Sequence, residues 1–312
     1  VTRVGIAGAG AWGIALAYAA RRAGSDPVIW SRRGDFAADS VAVNGDDAAL
    51  SDVDILLLTV SAQELSQVTA RLEPVLAGHL PVVICAKGIA RPGDRLLSSV
   101  LSETLPGRPV AILSGPSFAD EVIKGLPTAV TIAAHDAALA ERIGKAIGSA
   151  AFRPYASTDP VGVQLGGAIK NVIAIACGIV AGRQIGENAR AALMTRGLAE
   201  TARLGRAMGA RAETFAGLAG LGDLSLTATS ASSRNFRLGL VLGRGLSVAE
   251  ANDSIAGVVE GVATAQAVVA LASRHGVEVP ISEAVAAIVE HGADIKQTIA
   301  GLLARPFKTE TA

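Results

Sequence analysis

The sequence predicts an α/β fold in which a doubly wound parallel sheet fills the first half and the second half is all helical. Three observations carry this. Short apolar runs alternate with helical periodicity up to about residue 158, a glycine-rich turn joins the first strand to the first helix, and beyond Thr158-Asp159-Pro160 almost every stretch has a helical period. A chain of 312 residues exceeds one average domain, so two are expected, at 1–158 and 159–312, each able to bury its own core.

In order, residues 4–7 form a short apolar run that stops at Gly8, and 11–22 carry the first helix. Further strands are expected at 27–30, 54–60, 81–85, 110–113 and 129–133, with helices between them such as 62–76 and 93–103. Strand alternating with helix is the mark of a parallel sheet covered on both faces. In the second half helices are expected at 161–181, 190–208, 247–252, 262–275 and 281–290, punctuated by glycine.

Half of the residues are hydrophobic but only 3% are aromatic, so alanine and glycine supply much of the apolar content, which suits closely packed helices. The 28 basic and 28 acidic side chains balance, and no basic run marks a nucleic-acid footprint or a membrane-binding face. Cys85 and Cys177 sit far apart in apolar stretches without metal-ligand spacing, and read as core residues of a reducing compartment. No metal site is expected. The stretch 172–181 is too short to span a bilayer, and Val1-Thr2-Arg3 runs directly into a strand, so a cytoplasmic protein is expected.

Gly8-Ala9-Gly10-Ala11-Trp12-Gly13 ends the first strand and opens the first helix. In that setting one glycine makes the tight turn, one admits a pyrophosphate to the backbone and one lets helix pack on strand, while the helix N-terminus offers free N–H donors. This makes the first half a Rossmann-type dinucleotide-binding domain. Where an acid would bond the ribose 2′-hydroxyl of NAD, the second strand runs instead into Ser31-Arg32-Arg33. Two guanidinium groups there point to the 2′-phosphate of NADP; the other reading is a solvated basic turn.

Oxidising an alcohol requires a group that takes the hydroxyl proton. Lys170 stands in the otherwise apolar stretch Gln164-Leu165-Gly166-Gly167-Ala168-Ile169-Lys170-Asn171, where desolvation lowers an ammonium pKa. Gly166 and Gly167, one turn earlier, are expected to leave room for cofactor or substrate. The alternative is a lysine at a helix end with its amine in water. In 217–227, a helix would put Asp223 and Thr227 on one face, with the carboxylate beside a lysine. Ser232-Ser233-Arg234-Asn235 is rich in donors, and Arg234 with Asn235 could clamp a phosphate; taken singly, such residues are as readily helix caps or surface groups.

Read together, these blocks resemble the bacterial NAD(P)-dependent glycerol-3-phosphate dehydrogenase family over nearly the whole chain. The resemblance rests on the glycine fingerprint continued through Ile14-Ala15-Leu16-Ala17, on Ala86-Lys87-Gly88, on Leu113-Ser114-Gly115-Pro116-Ser117-Phe118-Ala119 and on Gly166 to Ala174. Gly220-Leu221-Gly222-Asp223-Leu224, Ser233-Arg234-Asn235 and Val259-Glu260-Gly261 complete it. It implies hydride transfer between C2 of sn-glycerol 3-phosphate or dihydroxyacetone phosphate and C4 of the nicotinamide of NADP or NAD, in glycerophospholipid synthesis. Lys170 would be the general acid/base, Lys87 would meet both substrate and nicotinamide, and Asp223 would orient lysine and substrate. Lys87 otherwise reads as a structural salt-bridge lysine.

By the same matching, Gly115, Ser117 and Thr227 would face the substrate, and Ser233, Arg234 and Asn235 its phosphate. Gly8, Gly10, Ala11, Trp12, Gly13, Arg32, Arg33, Lys87, Ala119, Arg234, Val258 and Glu260 would face the cofactor. Trp12 would pack along the cofactor or simply between helix and sheet. A homodimer is implied, as is a small phosphorylated three-carbon substrate. Rival readings are a related two-domain reductase of a small keto or hydroxy acid and a non-catalytic NADP-binding sensor.

Three departures from the family pattern stand out. The segment between Trp30 and Asp54 is short and lacks the family's leucine-proline stretch, which bears on how the adenosine end is covered. Val60-Ser61 replaces a valine-proline, and Ala228 a frequent cysteine.

Overall fold

The computed structural model describes residues 1–34, 36–38 and 41–306. Within them nine strands form one sheet: β1 (Arg3–Ala7), β2 (Asp26–Trp30), β3 (Phe36–Ala38), β4 (Val41–Asn44), β5 (Ile55–Leu58), β6 (Val82–Ile84), β7 (Val110–Ser114), β8 (Thr128–Ala134) and β9 (Phe152–Ser157). Their order is β3-β4-β2-β1-β5-β6-β7-β8-β9. All neighbours are parallel except β3 with β4 and β7 with β8. Ala7 pairs with both Trp30 and Leu58, so β1, β2 and β5 end level and their outgoing loops adjoin.

Helices α1 (Ala11–Arg22), α2 (Leu65–Leu72), α3 (Leu97–Thr104), α4 (Ala119–Lys124) and α5 (Ala137–Ile147) cover this sheet. Alternate strand residues serve opposite faces: Leu57 joins Ile14, Leu16 and Ile143 on one side, while Leu56 and Leu58 join Leu65, Val68 and Leu101 on the other. Burial on both faces explains the unbroken apolar runs at β5 and β6.

Some boundaries differ from the sequence reading. The helix expected at 62–76 reaches only from 65 to 72 and then tightens into a 3₁₀ turn, Glu73–Val75, because Pro74 has no N–H to continue it. The helix expected from 93 starts at 97, since Gly93 and Asp94 both have positive φ. The antiparallel pairings were not anticipated, because alternation of strand and helix carries no record of strand direction.

The second half consists of α6 (Pro160–Gly182), α7 (Glu187–Ala207), α8 (Ala212–Ala216), α9 (Asp223–Thr229), α10 (Arg234–Gly243), α11 (Val248–Asp253), α12 (Glu260–Arg274), α13 (Pro280–His291) and α14 (Ile295–Leu303). Pro160 opens α6 where its missing N–H is harmless, and the Asp159 carboxylate accepts from Gly162 N at 2.9 Å. The other Asp159 oxygen accepts from Arg211 N and Thr214 Oγ1, at 2.9 and 2.6 Å, tying the start of α6 to α8.

α6 is apolar on every side and lies at the centre of the helical core. By length and composition it could cross a membrane, but 89% of its most apolar window is buried inside the protein. α10 approaches it closely through Gly178 and Gly182 on one helix and Gly239 and Gly243 on the other; a Cβ on Gly243 would stand 2.5 Å from Ile179 O. That approach brings the first turn of α10 against the middle of α6.

Candidate active site

Four elements converge where the sheet meets the helical half. The loop after β6 carries Lys87, the turn after β7 carries Gly115, the middle of α6 carries Lys170, and the first residue of α9 is Asp223. Gly115 has a φ of +135° and its Cα faces the backbone of β8, where a Cβ would lie 3.0 Å from Val130 Cα. A single π-helical turn, Leu218–Gly222, delivers Asp223 to α9, and the helix places Thr227 one turn on, 3.4 Å from Asp223 Oδ1.

Asp223 joins the two lysines. Lys170 Nζ donates to Asp223 Oδ1 and to Thr227 Oγ1, each at 2.7 Å. Lys87 Nζ donates to Asp223 Oδ2 at 2.7 Å and to Gly115 O at 2.8 Å. Asp223 is 1% exposed and Lys170 8%, so the charges are almost dry, while the Lys87 side chain keeps 16% of its surface open. Lys170 is therefore neither at a helix end nor in water.

Burial lowers the Lys170 pKa to about 8; Asp223 opposes that shift and the nearby Lys87 adds to it. For Asp223, burial pushes upward, but the two ammonium groups and their hydrogen bonds outweigh it and hold the carboxyl below its usual range.

Gly166 and Gly167 require a correction. The room they leave is filled by protein, not by ligand: a Cβ on Gly166 would stand 2.5 Å from Ala219 O, and one on Gly167 would run into Ser114 Oγ. Their small size lets the π-helical turn and the end of β7 press against α6, which is how Asp223 and Gly115 reach the lysines.

Asn171, which follows Lys170 on α6 and for which the sequence suggested no role, is a connector. Its Nδ2 donates to Lys87 O at 2.8 Å and its Oδ1 accepts from Asn235 Nδ2 at 3.0 Å, while Asn235 Oδ1 accepts from Gly261 N at 3.0 Å. One chain of amides thus links the Lys87 loop, α6, α10 and α12. The only hint in the sequence was a second polar residue beside Lys170 on an apolar helix.

Ser117 Oγ donates to Gly115 O at 3.1 Å, and Ser233 Oγ caps α10 by accepting from Phe236 N at 3.2 Å. Arg234, next along, is exposed and its guanidinium reaches towards Gly257. Glu260 Oε1 accepts from Ala62 N at 3.2 Å across the seam, and Oε2 is buried without a hydrogen-bond partner among the described residues. Burial raises the Glu260 pKa, against the influence of Ala62 N and Arg234. Val258, in the same loop, is 55% exposed.

The fingerprint corner lies along the same edge. Gly8 has a φ of +120° and a Cβ there would stand 2.7 Å from Thr59 Oγ1; a Cβ on Gly13 would strike Gly8 O; Gly10 has open space above it. No side chain caps α1, whose exposed start at Ala11 leaves its first N–H groups facing outward. A pyrophosphate fits this corner. Trp12 and Ala119 each pack against the core on the α1 face of the sheet, and Trp12 Nε1 is buried without a hydrogen-bond partner among the described residues. Arg32 forms an ion pair with Glu64 and donates to Gln67 Oε1 at 3.2 Å, whereas Arg33 N donates to Ser31 Oγ.

Family comparison matches the description NAD-dependent glycerol-3-phosphate dehydrogenase twice, its N-terminal part over residues 38–140 and its C-terminal part over 159–300. The chain belongs to that family. A relative from Parvibaculum lavamentivorans named glycerol-3-phosphate dehydrogenase [NAD(P)+] is 48% identical over 327 residues, covering 99% of this chain and 98% of its own. One from Rhodospirillum rubrum with the same name is 46% identical, covering 99% and 94%. Both alignments are longer than the 312 residues of this chain, so the relatives carry residues that it lacks.

The crystal structure of glycerol-3-phosphate dehydrogenase from Coxiella burnetii superposes with a TM-score of 0.92 at 36% identity, over 97% of this chain and 99% of that one. A ketopantoate reductase from Ralstonia eutropha shares the fold alone, with a TM-score of 0.57 at 15% identity over 96% of this chain and 100% of that one.

Proposed function

We propose that the protein catalyses reversible hydride transfer between NAD(P)H and dihydroxyacetone phosphate, giving sn-glycerol 3-phosphate. The observation that carries this reading is one buried carboxylate, Asp223, holding two lysines from the two halves of the molecule where the sheet meets the helical half.

A nicotinamide held beside Lys87 would supply the hydride to C2, or receive it in the reverse direction. Lys170 gives the proton to the C2 oxygen or takes it. An ammonium has three donors, and Asp223 and Thr227 occupy two of them, so one N–H remains for that oxygen. A pKa near 8 keeps both protonation states accessible around neutral pH, which a reversible acid/base requires. Lys87 likewise has one donor left after Gly115 O and Asp223, and adds positive charge where negative charge develops.

Gly115, Ser117 and Thr227 border the carbon skeleton in this reading. The phosphate goes to the first turn of α10, where helix N–H groups, the Arg234 guanidinium and the backbone beside Ser233 and Asn235 suit a dianion. Gly8, Gly10, Ala11 and Gly13 cradle the pyrophosphate, with Trp12, Lys87, Ala119, Val258 and Glu260 alongside and Arg32 and Arg33 at the adenosine end. The dinucleotide and substrate domains divide at 158/159. A cytoplasmic homodimer serving glycerophospholipid synthesis, as the family resemblance implies, completes the proposal.

Following NADPH oxidation with dihydroxyacetone phosphate beside ketopantoate and other 2-keto acids tests this. Turnover with the phosphorylated ketone is expected; preference for a 2-keto acid would overturn the assignment.

A further inference from the structure

We infer that Glu64 sets the choice between NAD and NADP, by supplying from the loop after β5 the acid that the end of β2 lacks. The inference rests on the function proposed above and concerns the adenosine end of the same site.

The sheet puts the two loops together. β1 lies between β2 and β5 and all three strands end level, so the turn beginning at Ser31 and the turn beginning at Thr59 flank the glycine corner. Thr59 Oγ1 donates to Ala7 O at 3.1 Å or Gly8 O at 2.9 Å, fastening the second turn to the first glycine. Five residues on, Glu64 forms its ion pair with Arg32, which Gln67 also contacts. The position where a 2′-substituent is read therefore holds a cation already matched by an anion, with a second cation, Arg33, exposed beside it.

A ribose 2′-hydroxyl is a donor and finds an acceptor in the Glu64 carboxylate, the contact that an acid at the end of β2 makes in NAD-binding folds. A 2′-phosphate is an acceptor with about two negative charges; it needs Arg32 for itself and is repelled by Glu64. The pair is exposed, its side chains 37% and 44% accessible, so it exchanges partners readily and leaves both cofactors admissible. Glu64 also lies near enough to Glu260 for its charge to help raise the Glu260 pKa, after burial, the largest cause.

The test compares wild type with Glu64→Gln, Glu64→Ala and Arg32→Ala in two independent readouts. Calorimetric titration with adenosine 2′,5′-bisphosphate and with 5′-AMP reads the adenosine end without any turnover. In both Glu64 variants the bisphosphate should bind about twofold to fivefold more tightly and 5′-AMP more weakly, the scale of an exposed charge contact. Arg32→Ala should lose affinity for the bisphosphate only. The ratio of kcat/KM for NADPH over NADH with dihydroxyacetone phosphate should rise in parallel in the Glu64 variants. An unchanged affinity ratio, or equal weakening of both fragments, overturns the role of Glu64. Shifted fragment affinities without turnover of dihydroxyacetone phosphate would sustain it and overturn the substrate assignment instead.

Discussion

Lys170 and Arg32 are both cations held by a carboxylate, one nearly dry at the seam and the other at the rim. Water is the difference between them. At the seam the low local dielectric makes each charge dependent on its partner and moves the Lys170 pKa into the working range. At the rim, solvent screens the pair and leaves it free to trade partners. Burial suits the proton exchange proposed for Lys170; exposure suits the discrimination between cofactors proposed at Arg32.

The sharpest way to break this contrast is Lys170→Ala, expected to lower turnover about 10²- to 10⁴-fold with little change in NADPH affinity measured by fluorescence. Near wild-type turnover would remove Lys170 from the chemistry. Asp223→Asn comes next: it leaves buried ammonium groups unmatched and should destabilise the fold by about 3–5 kcal/mol in urea unfolding. Gly239→Ala pushes α10 off α6, strains the Asn171–Asn235 link, and should lose about 1–3 kcal/mol in the same assay while raising the KM for the phosphorylated substrate.

The pH dependence sharpens the comparison further. In the proposed mechanism reduction needs protonated Lys170 and should fall above about pH 8, whereas oxidation needs the free amine and should rise through the same value; Asp223→Asn should move both limbs to lower pH. The folded protein binds fewer protons at Lys170 than the unfolded chain does between about pH 8 and the usual lysine range, so this group makes stability rise with pH across that window. Asp223, held low, stabilises the fold above the ordinary carboxylate range, and that contribution disappears as pH falls through its native pKa. Smallest of all, Arg32→Gln should change stability by less than about 1 kcal/mol, as expected for a screened surface pair; a larger loss would mean that the rim is not the loosely held region described here.

Much of this could be read along the chain because local order preserves it. The fingerprint is contiguous, and its glycines at 8 and 13 answer to a turn and a close approach within six residues. Asp223 and Thr227 share a helix face because four residues make about one turn. The strand directions at β7 and β8, the true neighbours of Gly166 and Gly167, and the link through Asn171 were not legible. Each depends on a partner that the sequence holds far away, as Lys87 O lies 84 residues from Asn171.

The sequence by itself determined the periodicities, the glycine corner, a lysine in an apolar helix and an Asp223–Thr227 helix face, since hydrophobic spacing and backbone freedom are local properties; Lys87 was marked by family resemblance alone. Only the tertiary structure decided that both lysines share one carboxylate, and that Arg32 already has an anion beside it. Dryness and pairing depend on which distant surfaces the fold presses together, and through-space electrostatics follows that packing and not the order of residues along the chain.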